Sequence, residues 1–393
     1  MTGSGSLRSL AWALAATALA TAADAAAPDP VKVGVIVPTS GPFASIGGEI
    51  TAGIKTYMKQ HGDTVAGRKI ELIVKDTTGP SPEIAKRLAL DLVLRDKVDF
   101  LAGFGLTPEA LAVAPIATEA KTPMVIMNAA TSIITTRSPY IARVSFTLPQ
   151  VAGPMATWAA KNGVRQVYTL VSDYGPGVDA ETEFKKTFTA AGGKIVDSVR
   201  VPLQNPDFSP YVQRIKDANP QAVFVFVPAG QQGTAFMKTF AERGVARAGV
   251  KVIATGDLTE DYQLDAIGDA ALGIITTHHY SAAHDSPENK AFLAAFRDAN
   301  GDALRANFMA VGGYDGMAAI YEVVRKLEGK LDADKAMQVL KGLKLASPRG
   351  ALVIDPETRD PIQTVYVRRV EKLDGHLYNV EFDKFADVKD PGK

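Results

Sequence analysis

Residues 31–60 read VKVGVIVPTSGPFASIGGEITAGIKTYMKQ, and this segment sets the fold class. Its first part, 31–37, is a short apolar run that predicts a buried β-strand, and the pattern over 47–60 predicts a helix. Residues 69–75 alternate as a second strand, and Ser81 is the expected N-cap of the helix that follows. A strand, a helix, a strand and a helix in this order indicate an α/β unit with a parallel sheet.

Further apolar runs continue the alternation, as expected of parallel strands covered on both faces. They are residues 98–102, 124–127, 167–171, 222–227 and 250–254. The chain falls into two similar halves, which end in the comparable loops 128–131 (NAAT) and 255–258 (TGDL). We therefore expect two doubly wound α/β lobes. Open α/β sheets bind ligands at the carboxyl ends of their strands, so the cleft between the lobes is the expected site.

The sequence becomes rich in strand patterns beyond about residue 350. Residues 351–354 and 364–370 are alternating or β-branched, and Gly375 separates two further strand candidates. We expect these strands at sheet edges.

Composition excludes several classes of protein. The 393 residues are 46% hydrophobic, which is ordinary for a globular chain, and Lys plus Arg balance Asp plus Glu at 43 each. This balance provides no electrostatic footprint for nucleic acid. With no Cys there is no disulfide, thiol nucleophile or Cys-bound zinc. A small-molecule partner is expected, without a cofactor.

The N-terminus predicts export. It reads MTGSGSLRSLAWALAATALATAADAAAPDP, with Arg8 before an apolar run and a small-x-small pattern at residues 23–25. These features predict a secretory signal peptide, residues 1–25, cleaved after Ala25. The apolar run is short for a membrane span, and an uncleaved anchor is the alternative. Since lipid anchoring would require Cys, we expect a protein that diffuses freely in the periplasm.

Enzyme motifs are absent or weak. A dehydrogenase would carry Gly-x-Gly-x-x-Gly after the first strand, where residues 38–42 read PTSGP. A P-loop and a Gly-x-Ser-x-Gly elbow are missing as well. His278, His279 and His284 with Asp285 are the nearest approach to a metal site. Strand geometry would point His278 and His279 to opposite faces, so we expect them in a crossover or loop and keep a secreted metallohydrolase as a remote alternative.

Glu260 and Asp261 form the other acidic pair of interest. We expect them in the exposed first turn of a helix that begins at Glu260, where negative charge is favourable, and not as an acid/base pair.

Five motifs together resemble the branched-chain amino-acid-binding family, which are periplasmic receptors of ABC importers. They are VGVIVPTSGPFASIGGEITAG (33–53), GFGLTPEALAVAPIA (103–117), MVIMNAATS (124–132), SDYGPG (172–177) and DFSPYVQRI (207–215). The resemblance implies a type I periplasmic binding protein: two Rossmann-like lobes joined by three crossovers, with no catalysis. It also implies an ABC permease of the inner membrane as the partner.

The family likeness implies a division of the chain. Lobe 1 would comprise residues 28–147 plus 279–354, and lobe 2 residues 148–278 plus 355–385. The crossovers would lie near 146–148, 276–279 and 354–356.

Candidate ligand contacts on the first lobe follow strand ends. Thr107 stands before a Pro-Glu pair, so it can N-cap a helix whose free N–H groups hold a carboxylate. The resemblance implies carboxylate contacts from the backbone of Ala129 and the hydroxyl of Thr131; capping and a plain turn are the alternatives. Phe104 occupies a turn that would line the cleft. Phe43 and Ile46 would form another wall of the cleft, and ordinary packing is the alternative for both.

Candidate contacts on the second lobe are Tyr174, Ala229 and Asp257. By resemblance, Tyr174 is an aromatic wall. Asp257 corresponds to the family acid that accepts an α-ammonium group, although it could instead accept a ligand hydroxyl or fix its loop. Nearby Thr259 could cap the helix expected at Glu260. Ala229 stands where relatives carry a bulky aromatic residue, which opens space for a ligand ring.

These expectations favour a small carboxylate ligand, with an aromatic acid preferred to a hydrophobic amino acid. The protein would be a monomer whose lobes close on the ligand and present it to the permease. A ligand-sensing receptor module that acts through a partner has the same fold and is the alternative.

Overall fold

Two β-sheets organise the chain. The computed structural model describes residues 28–392, so the predicted signal peptide lies outside the described residues. The strands are β1 (Val31–Val37), β2 (Thr64–Val65), β3 (Arg68–Asp76), β4 (Phe100–Gly103), β5 (Met124–Ile126), β6 (Ile141–Arg143), β7 (Gln166–Ser172), β8 (Lys194–Val201), β9 (Ala222–Phe226), β10 (Lys251–Thr255), β11 (Ile275–His278), β12 (Lys344–Ser347), β13 (Gly350–Ile354), β14 (Pro361–Leu373) and β15 (His376–Val388). The helices are α1 (Ala44–His61), α2 (Pro82–Asp91), α3 (Thr107–Glu119), α4 (Leu148–Lys161), α5 (Gly175–Ala190), α6 (Ser209–Ala218), α7 (Gln231–Glu242), α8 (Leu264–Ile267), α9 (Pro287–Asn300), α10 (Phe308–Lys326) and α11 (Ala333–Leu340).

The two sheets repeat one strand order. Parallel strands of the first sheet stand in the order β3-β1-β4-β5-β6, with the short β2 antiparallel to β3. Those of the second stand in the order β8-β7-β9-β10-β11, followed by antiparallel β14. Counted along each half, both orders are 2-1-3-4-5, a doubly wound arrangement. The predicted fold class is confirmed.

Each sheet is covered by helices and forms a lobe. The first lobe consists of β1 to β6 with α1 to α3, and α9 and α10 return to pack against α1. The second lobe consists of β7 to β11, β14 and β15 with α4 to α8. The hairpin of β12 and β13 lies between them, because β13 pairs with β14. None of the helices within residues 28–392 is long and apolar enough to cross a lipid bilayer.

Local sequence explains the first elements well. Six of the seven residues of β1 are buried, as a strand covered on both faces requires. Ser81 does occupy the N-cap position of α2, yet its side chain makes no capping hydrogen bond. The helix begins instead with Pro82, whose fixed φ suits a first helical turn.

Two of the strands predicted at sheet edges are interior strands, whereas β15, which follows Gly375, pairs with β14 alone among the described strands and lies at an edge as predicted. Residues 364–370 lie in β14, which is flanked by β11 and β15. Residues 351–354 lie in β13, between β12 and β14. The prediction was wrong for β13 and β14 because their neighbours are supplied by distant or later segments, whose pairing leaves no mark on the pattern of the strand itself.

No helix begins at Glu260. Residues 256–263 form turns, and α8 starts only at Leu264. Glu260 and Asp261 are 1% and 0% exposed, so the expectation of an exposed helical turn was also wrong. Thr259 caps no helix; its hydroxyl donates to Asn379 Oδ1 at 2.7 Å.

Buried arginines hold the segments that pass between the lobes. Arg349 donates from Nη1 to the carbonyl of Ser145 at 2.9 Å, next to the first predicted crossover. Arg368 donates to Thr276 Oγ1 at 3.0 Å and to the carbonyl of Tyr280. Thr276 begins the second predicted crossover, and Tyr280 directly follows it. Burying these cations is costly unless they are paired. They therefore fix the crossovers while needing acidic partners of their own.

Two buried arginines have acidic partners from elsewhere in the chain. Asp315 of α10 lies 2.9 Å from Arg349. Asp360, just before β14, lies 3.2 Å from Arg143, a third buried arginine that donates to the carbonyl of Phe146. Sequence reasoning missed this framework, because charged residues in a sequence are read by default as exposed.

Candidate ligand-binding site

The candidate site lies where the carboxyl ends of the parallel strands of both sheets face each other. On the first lobe, Ile46 follows β1, Thr107 follows β4 and Ala129 follows β5. On the second lobe, Tyr174 follows β7, while Ala229 and Asp257 follow β9 and β10. These are the strands around the point at which each doubly wound sheet reverses its order, where such folds bind ligands.

A pair of threonines forms the polar wall of the first lobe. The hydroxyl oxygens of Thr107 and Thr131 lie 3.0 Å apart, and both residues are buried. Thr107 is the first residue of α3 and Leu106 occupies the N-cap position, so the prediction that Thr107 caps the helix was off by one residue. The backbone N–H of Thr107 nevertheless belongs to the first turn of α3, which favours an anion.

Ala129 takes a different role from the one expected. Its backbone N–H already donates to the carbonyl of Phe104 at 2.9 Å, so this group is engaged within the first lobe. Its side chain lines the cavity described below. Ala129 therefore contributes a small side chain that leaves room for a ligand beside Thr107. It does not contribute a backbone hydrogen bond to the ligand.

Two parallel aromatic rings form the apolar wall of the second lobe. The rings of Tyr174 and Phe226 are 6.1 Å apart and inclined by 20°. Phe146, from the crossover after β6, adds a third ring to the lining. Such faces bind a flat apolar or aromatic group.

Asp257 supplies the charge of the site. It is 7% exposed, and its Oδ2 accepts a hydrogen bond from Thr255 Oγ1 at 2.8 Å. His278 Nε2 lies 3.7 Å from the same oxygen. Burial lowers the pKa of His278, although Asp257 opposes this shift, so the imidazole is neutral at pH 7.

Tyr174 lines the same cavity as Asp257. Burial, and then the charge of Asp257, raise the pKa of the Tyr174 phenol well above its ordinary value. The hydroxyl therefore keeps its proton at physiological pH and can donate a hydrogen bond.

The two lobes meet at Gly175, the first residue of α5. A Cβ atom placed there would lie 2.7 Å from Thr131 Oγ1, closer than atoms of this kind approach. Beside it, the backbone N–H of Ser132 donates to Asp179 Oδ2 of α5 at 2.9 Å. The absence of a side chain at Gly175 brings the N-terminus of α5 against the threonine pair, so the N-termini of α3 and α5 converge there.

A small cavity lies between these walls. In this arrangement of the lobes its volume is about 20 Å³. Its lining consists of Ile46, Gly105, Leu106, Thr107, Asn128, Ala129, Ala130, Phe146, Leu148, Tyr174, Pro176, Phe226, Pro228, Ala229 and Asp257. Asp257 is the sole charged residue in this lining, so the space suits a small ligand with one polar end.

The structure sorts the nine candidate residues from the sequence into four groups, of which the last contains Phe104 alone. Six line the cavity: Ile46, Thr107, Ala129, Tyr174, Ala229 and Asp257. Thr131 stands directly behind Thr107 through their hydroxyl contact. Phe43 lines a neighbouring cavity, which it shares with Ala229.

Phe104 lies away from the cavity. Its side chain is fully buried in a core cluster of the first lobe, with Ile36 and Leu92 among its members. Its φ of 62° places a bulky residue in the left-handed region, which turns the side chain into this core. The structure therefore gives Phe104 a packing role where a ligand contact was expected.

Sequence reasoning missed several lining residues. Phe146 and Leu148 fall in a predicted crossover, and Asn128 adjoins Ala129, so position alone could have suggested them. Asn128 Nδ2 donates to the carbonyl of Gly105 at 2.7 Å, and its buried Oδ1 has no partner among the described residues. Phe226 reads as an ordinary core residue of β9 and carries no such signal.

The histidine pair is closer than strand geometry predicts. The ring centroids of His278 and His279 are 4.4 Å apart, because β11 ends at His278 and the chain turns there. Both rings are buried against Phe146 and Phe308. Within residues 28–392, no group of three or more His, Asp or Glu side chains is arranged to hold a metal ion.

The fold and the site define a class of protein. Two doubly wound lobes are joined by crossovers, and a small cavity between their strand ends offers hydroxyls, helix N-termini and aromatic faces. This is the architecture of a two-lobed binding protein for small molecules.

Comparison with known proteins identifies the family. The family model described as periplasmic binding protein matches residues 30–375, and the chain belongs to this family. The Leu/Ile/Val-binding protein homolog 6 of Brucella melitensis is 48% identical over 383 residues, covering 96% of this chain and 98% of the relative. The resemblance to branched-chain amino-acid-binding proteins is thereby confirmed.

Two solved structures extend the comparison. A solute-binding protein of an ABC transporter from Rhodopseudomonas palustris BisB5, in complex with 3,4-dihydroxybenzoic acid, is 56% identical with a TM-score of 0.90, covering 93% of this chain and 99% of that one. A solute-binding protein from Rhodopseudomonas palustris HaA2, in complex with p-hydroxybenzoic acid, is 47% identical with a TM-score of 0.91 and the same coverage of 93% and 99%. The family and these neighbours are solute-binding proteins and not enzymes, and the family is periplasmic.

Proposed function

We propose that this protein captures a small aromatic carboxylate, of the hydroxybenzoate kind, and delivers it to an ABC permease of the inner membrane. The observation that carries the proposal is one small cavity lined by Thr107 and by the aromatic residues Tyr174 and Phe226, with the Thr131 hydroxyl directly behind that of Thr107. The hydroxybenzoate complexes of two structural neighbours support the same ligand class.

The carboxylate of the ligand would lie at the threonine pair, where the N-termini of α3 and α5 converge. Hydrogen bonds to a charged group contribute roughly 1.5–3 kcal/mol each. Three or four of them would account for much of the about 8 kcal/mol that a micromolar affinity requires.

Asp257 would accept the ring hydroxyl of the ligand. In an amino-acid receptor the same carboxylate would hold the ammonium group, so Asp257 distinguishes the two ligand classes. Asp257→Ala should abolish binding of an amino acid, because a buried charge would lose its counterion. It should weaken a hydroxybenzoate by about tenfold, and an unsubstituted benzoate less.

Closure follows from contacts to both lobes. A ligand that binds the closed state better than the open one shifts the equilibrium towards closure. The lobes would rotate about the three crossovers, with lobe 1 at residues 28–147 plus 279–354 and lobe 2 at residues 148–278 plus 355–385. The closed monomer would then dock on the permease, after export directed by residues 1–25.

Titration calorimetry tests the ligand class. The purified protein should bind 4-hydroxybenzoate or 3,4-dihydroxybenzoate and give no heat with leucine or phenylalanine. Tight binding of leucine without a response to any aromatic acid would reject the proposal in favour of an amino-acid receptor. Turnover of any of these compounds would reject a binding role altogether.

A further inference from the structure

A second cavity adjoins the first at Ala229. Its volume is about 140 Å³. Its lining consists of Pro42, Phe43, Gln204, Asn205, Pro206, Phe208, Ala229, Gln231, Gln232 and Ala235. We call this space the outer chamber. Ala229 lines both cavities, so both spaces border this residue.

The outer chamber has a neutral lining. Two aromatic rings and two prolines provide apolar surface, and the polar groups of its side chains are all amides. No lining residue is charged, in contrast to the inner cavity with Asp257. A second carboxylate or an ammonium group would therefore enter without a partner, which is costly in a partly buried site.

Gln232, a lining residue of this chamber, has an unfilled acceptor. Its Nε2 donates to the carbonyl of Leu203 at 2.5 Å. Only the NH₂ group of an amide can donate to a carbonyl, so this contact fixes the orientation of the Gln232 side chain. The remaining Oε1 is buried and has no hydrogen-bond partner among the described residues. A buried acceptor without a donor is unfavourable, and a ligand hydroxyl would satisfy it.

We infer that the outer chamber is a second subsite, which receives the neutral, hydroxyl-bearing end of an aryl carboxylate longer than a hydroxybenzoate. The carboxylate would remain at Thr107 and Thr131, the ligand would pass Ala229, and its terminal hydroxyl would donate to Gln232 Oε1. The inference rests on the proposed function, because the carboxylate end must be held in the inner cavity. Ala229 is then the residue that determines ligand length, since a bulkier side chain would close the passage.

Calorimetry with a matched pair of ligands tests the subsite. The wild-type protein is titrated with 4-hydroxycinnamate, with cinnamate, which lacks the terminal hydroxyl, and with 4-hydroxybenzoate. The same titrations use Gln232→Met, which keeps the length of the side chain and removes the acceptor. Gln213→Met is the matched control, because Gln213 lies on α6 outside both cavities and bonds to Asp217.

The expected result is that the wild type and Gln213→Met bind 4-hydroxycinnamate about two- to tenfold more tightly than cinnamate. Gln232→Met should bind both equally. Binding of 4-hydroxybenzoate without any binding of 4-hydroxycinnamate would overturn the subsite and leave the proposed function intact. A hydroxyl preference that persists in Gln232→Met would overturn it as well. Failure of all three acids, with leucine bound, would reject the proposed function itself.

Ala229→Phe provides a second readout. The variant should lose 4-hydroxycinnamate to a greater extent than 4-hydroxybenzoate, because the side chain would fill the passage between the cavities. Equal loss of both ligands would contradict the assignment of Ala229 as the residue that sets ligand length.

Discussion

The ligand cavity and a nearby acidic contact lie between the same two lobes, yet they handle charge in opposite ways. The cavity has hydroxyl groups, helix N-termini and one carboxylate, Asp257, within reach of a ligand. The acidic contact consists of Glu49 on α1 and the neighbours Glu260 and Asp261 after β10, all at most 1% exposed. The cavity can therefore receive an anion, whereas the acidic contact must balance its charge internally.

Hydrogen bonds and protonation balance that charge. Asn307 of the first lobe donates from Nδ2 to Glu260 Oε1 at 2.6 Å, and the backbone N–H of Tyr262 donates to the same oxygen. Asp261 accepts from Asn379 Nδ2 at 3.0 Å. Neither carboxyl oxygen of Glu49 has a hydrogen-bond partner among the described residues. A polar residue between two lobes therefore indicates a ligand site only where its hydrogen-bonding groups are not already engaged by other residues of the protein.

The pKa values of the two glutamates follow from this setting. Burial, and then the charges of Glu260 and Asp261, raise the pKa of Glu49 well above its ordinary value. Burial raises the pKa of Glu260 to about 7; the hydrogen bonds from Asn307 and Tyr262 and the charge of Arg305 oppose this, and Asp261 adds to it. Both carboxyls therefore tend to hold a proton when the lobes are in contact.

The largest expected effect concerns the approach of the lobes at the cavity. Gly175→Val should weaken binding of 4-hydroxybenzoate by about a hundredfold, because the new side chain would overlap Thr131 and hold the lobes apart. Gly48→Val is the matched control, since a Cβ at Gly48 meets nothing within 4 Å. Calorimetry measures both. Unchanged affinity in Gly175→Val would show that closure at this point is not needed for binding.

A smaller effect is expected from the polar wall of the cavity. Thr131→Val keeps the shape of the side chain and removes its hydroxyl, so affinity for 4-hydroxybenzoate should fall by about tenfold. Thr136→Val is the control, because the exposed Thr136 hydroxyl bonds to the carbonyl of Ile133 outside the cavity. Equal affinities of the two variants would remove Thr131 from the proposed carboxylate site.

The smallest effect is expected at the acidic contact and is measured as a change in thermal stability. Because the pKa of Glu260 is raised from 4.5 to about 7, the folded protein binds more protons than the unfolded chain between these values. The contribution of Glu260 to the free energy of unfolding must then fall as the pH rises through this window and level off above it. Glu260→Gln should make the decline shallower, by about 2–4 °C in melting temperature across the window.

Thermal unfolding at several pH values between 4.5 and 8 provides the measurement for Glu260. Glu83→Gln is the control, because Glu83 is exposed in the first turn of α2. Burial also raises the pKa of Glu109 to about 7, so Glu109 contributes part of the decline in stability in every variant. An identical slope in Glu260→Gln and the wild type would show that Glu260 is ionised throughout.

The sequence predicted the parts that depend on local pattern and chain order. The continuous apolar run of β1 and the strand ends at Thr107, Tyr174 and Asp257 needed only the rule that parallel sheets bind ligands at their carboxyl edge. These residues follow different strands, and the sheet topology brings the carboxyl ends of those strands close together. Six of the nine candidate residues consequently line one cavity.

Residues whose role depends on distant partners escaped prediction. Phe104 was assigned to the cleft, but its backbone conformation turns it into the core. Glu260 was assigned to the surface, but Asn307, 47 residues away, draws it into the contact between the lobes. Arg349 reads as a surface residue, although Asp315 and the carbonyl of Ser145 bury it. In each case a hydrogen bond, ion pair or dihedral angle decided the outcome, and the residue type did not.

A crystal structure of the complex with 4-hydroxybenzoate tests the central claim most directly. The account predicts the ligand carboxylate within hydrogen-bond distance of the Thr107 and Thr131 hydroxyls, its ring against Tyr174 and Phe226, and its hydroxyl on Asp257. A ligand bound outside the cavity between the lobes, or one whose carboxylate contacts neither threonine, would contradict it.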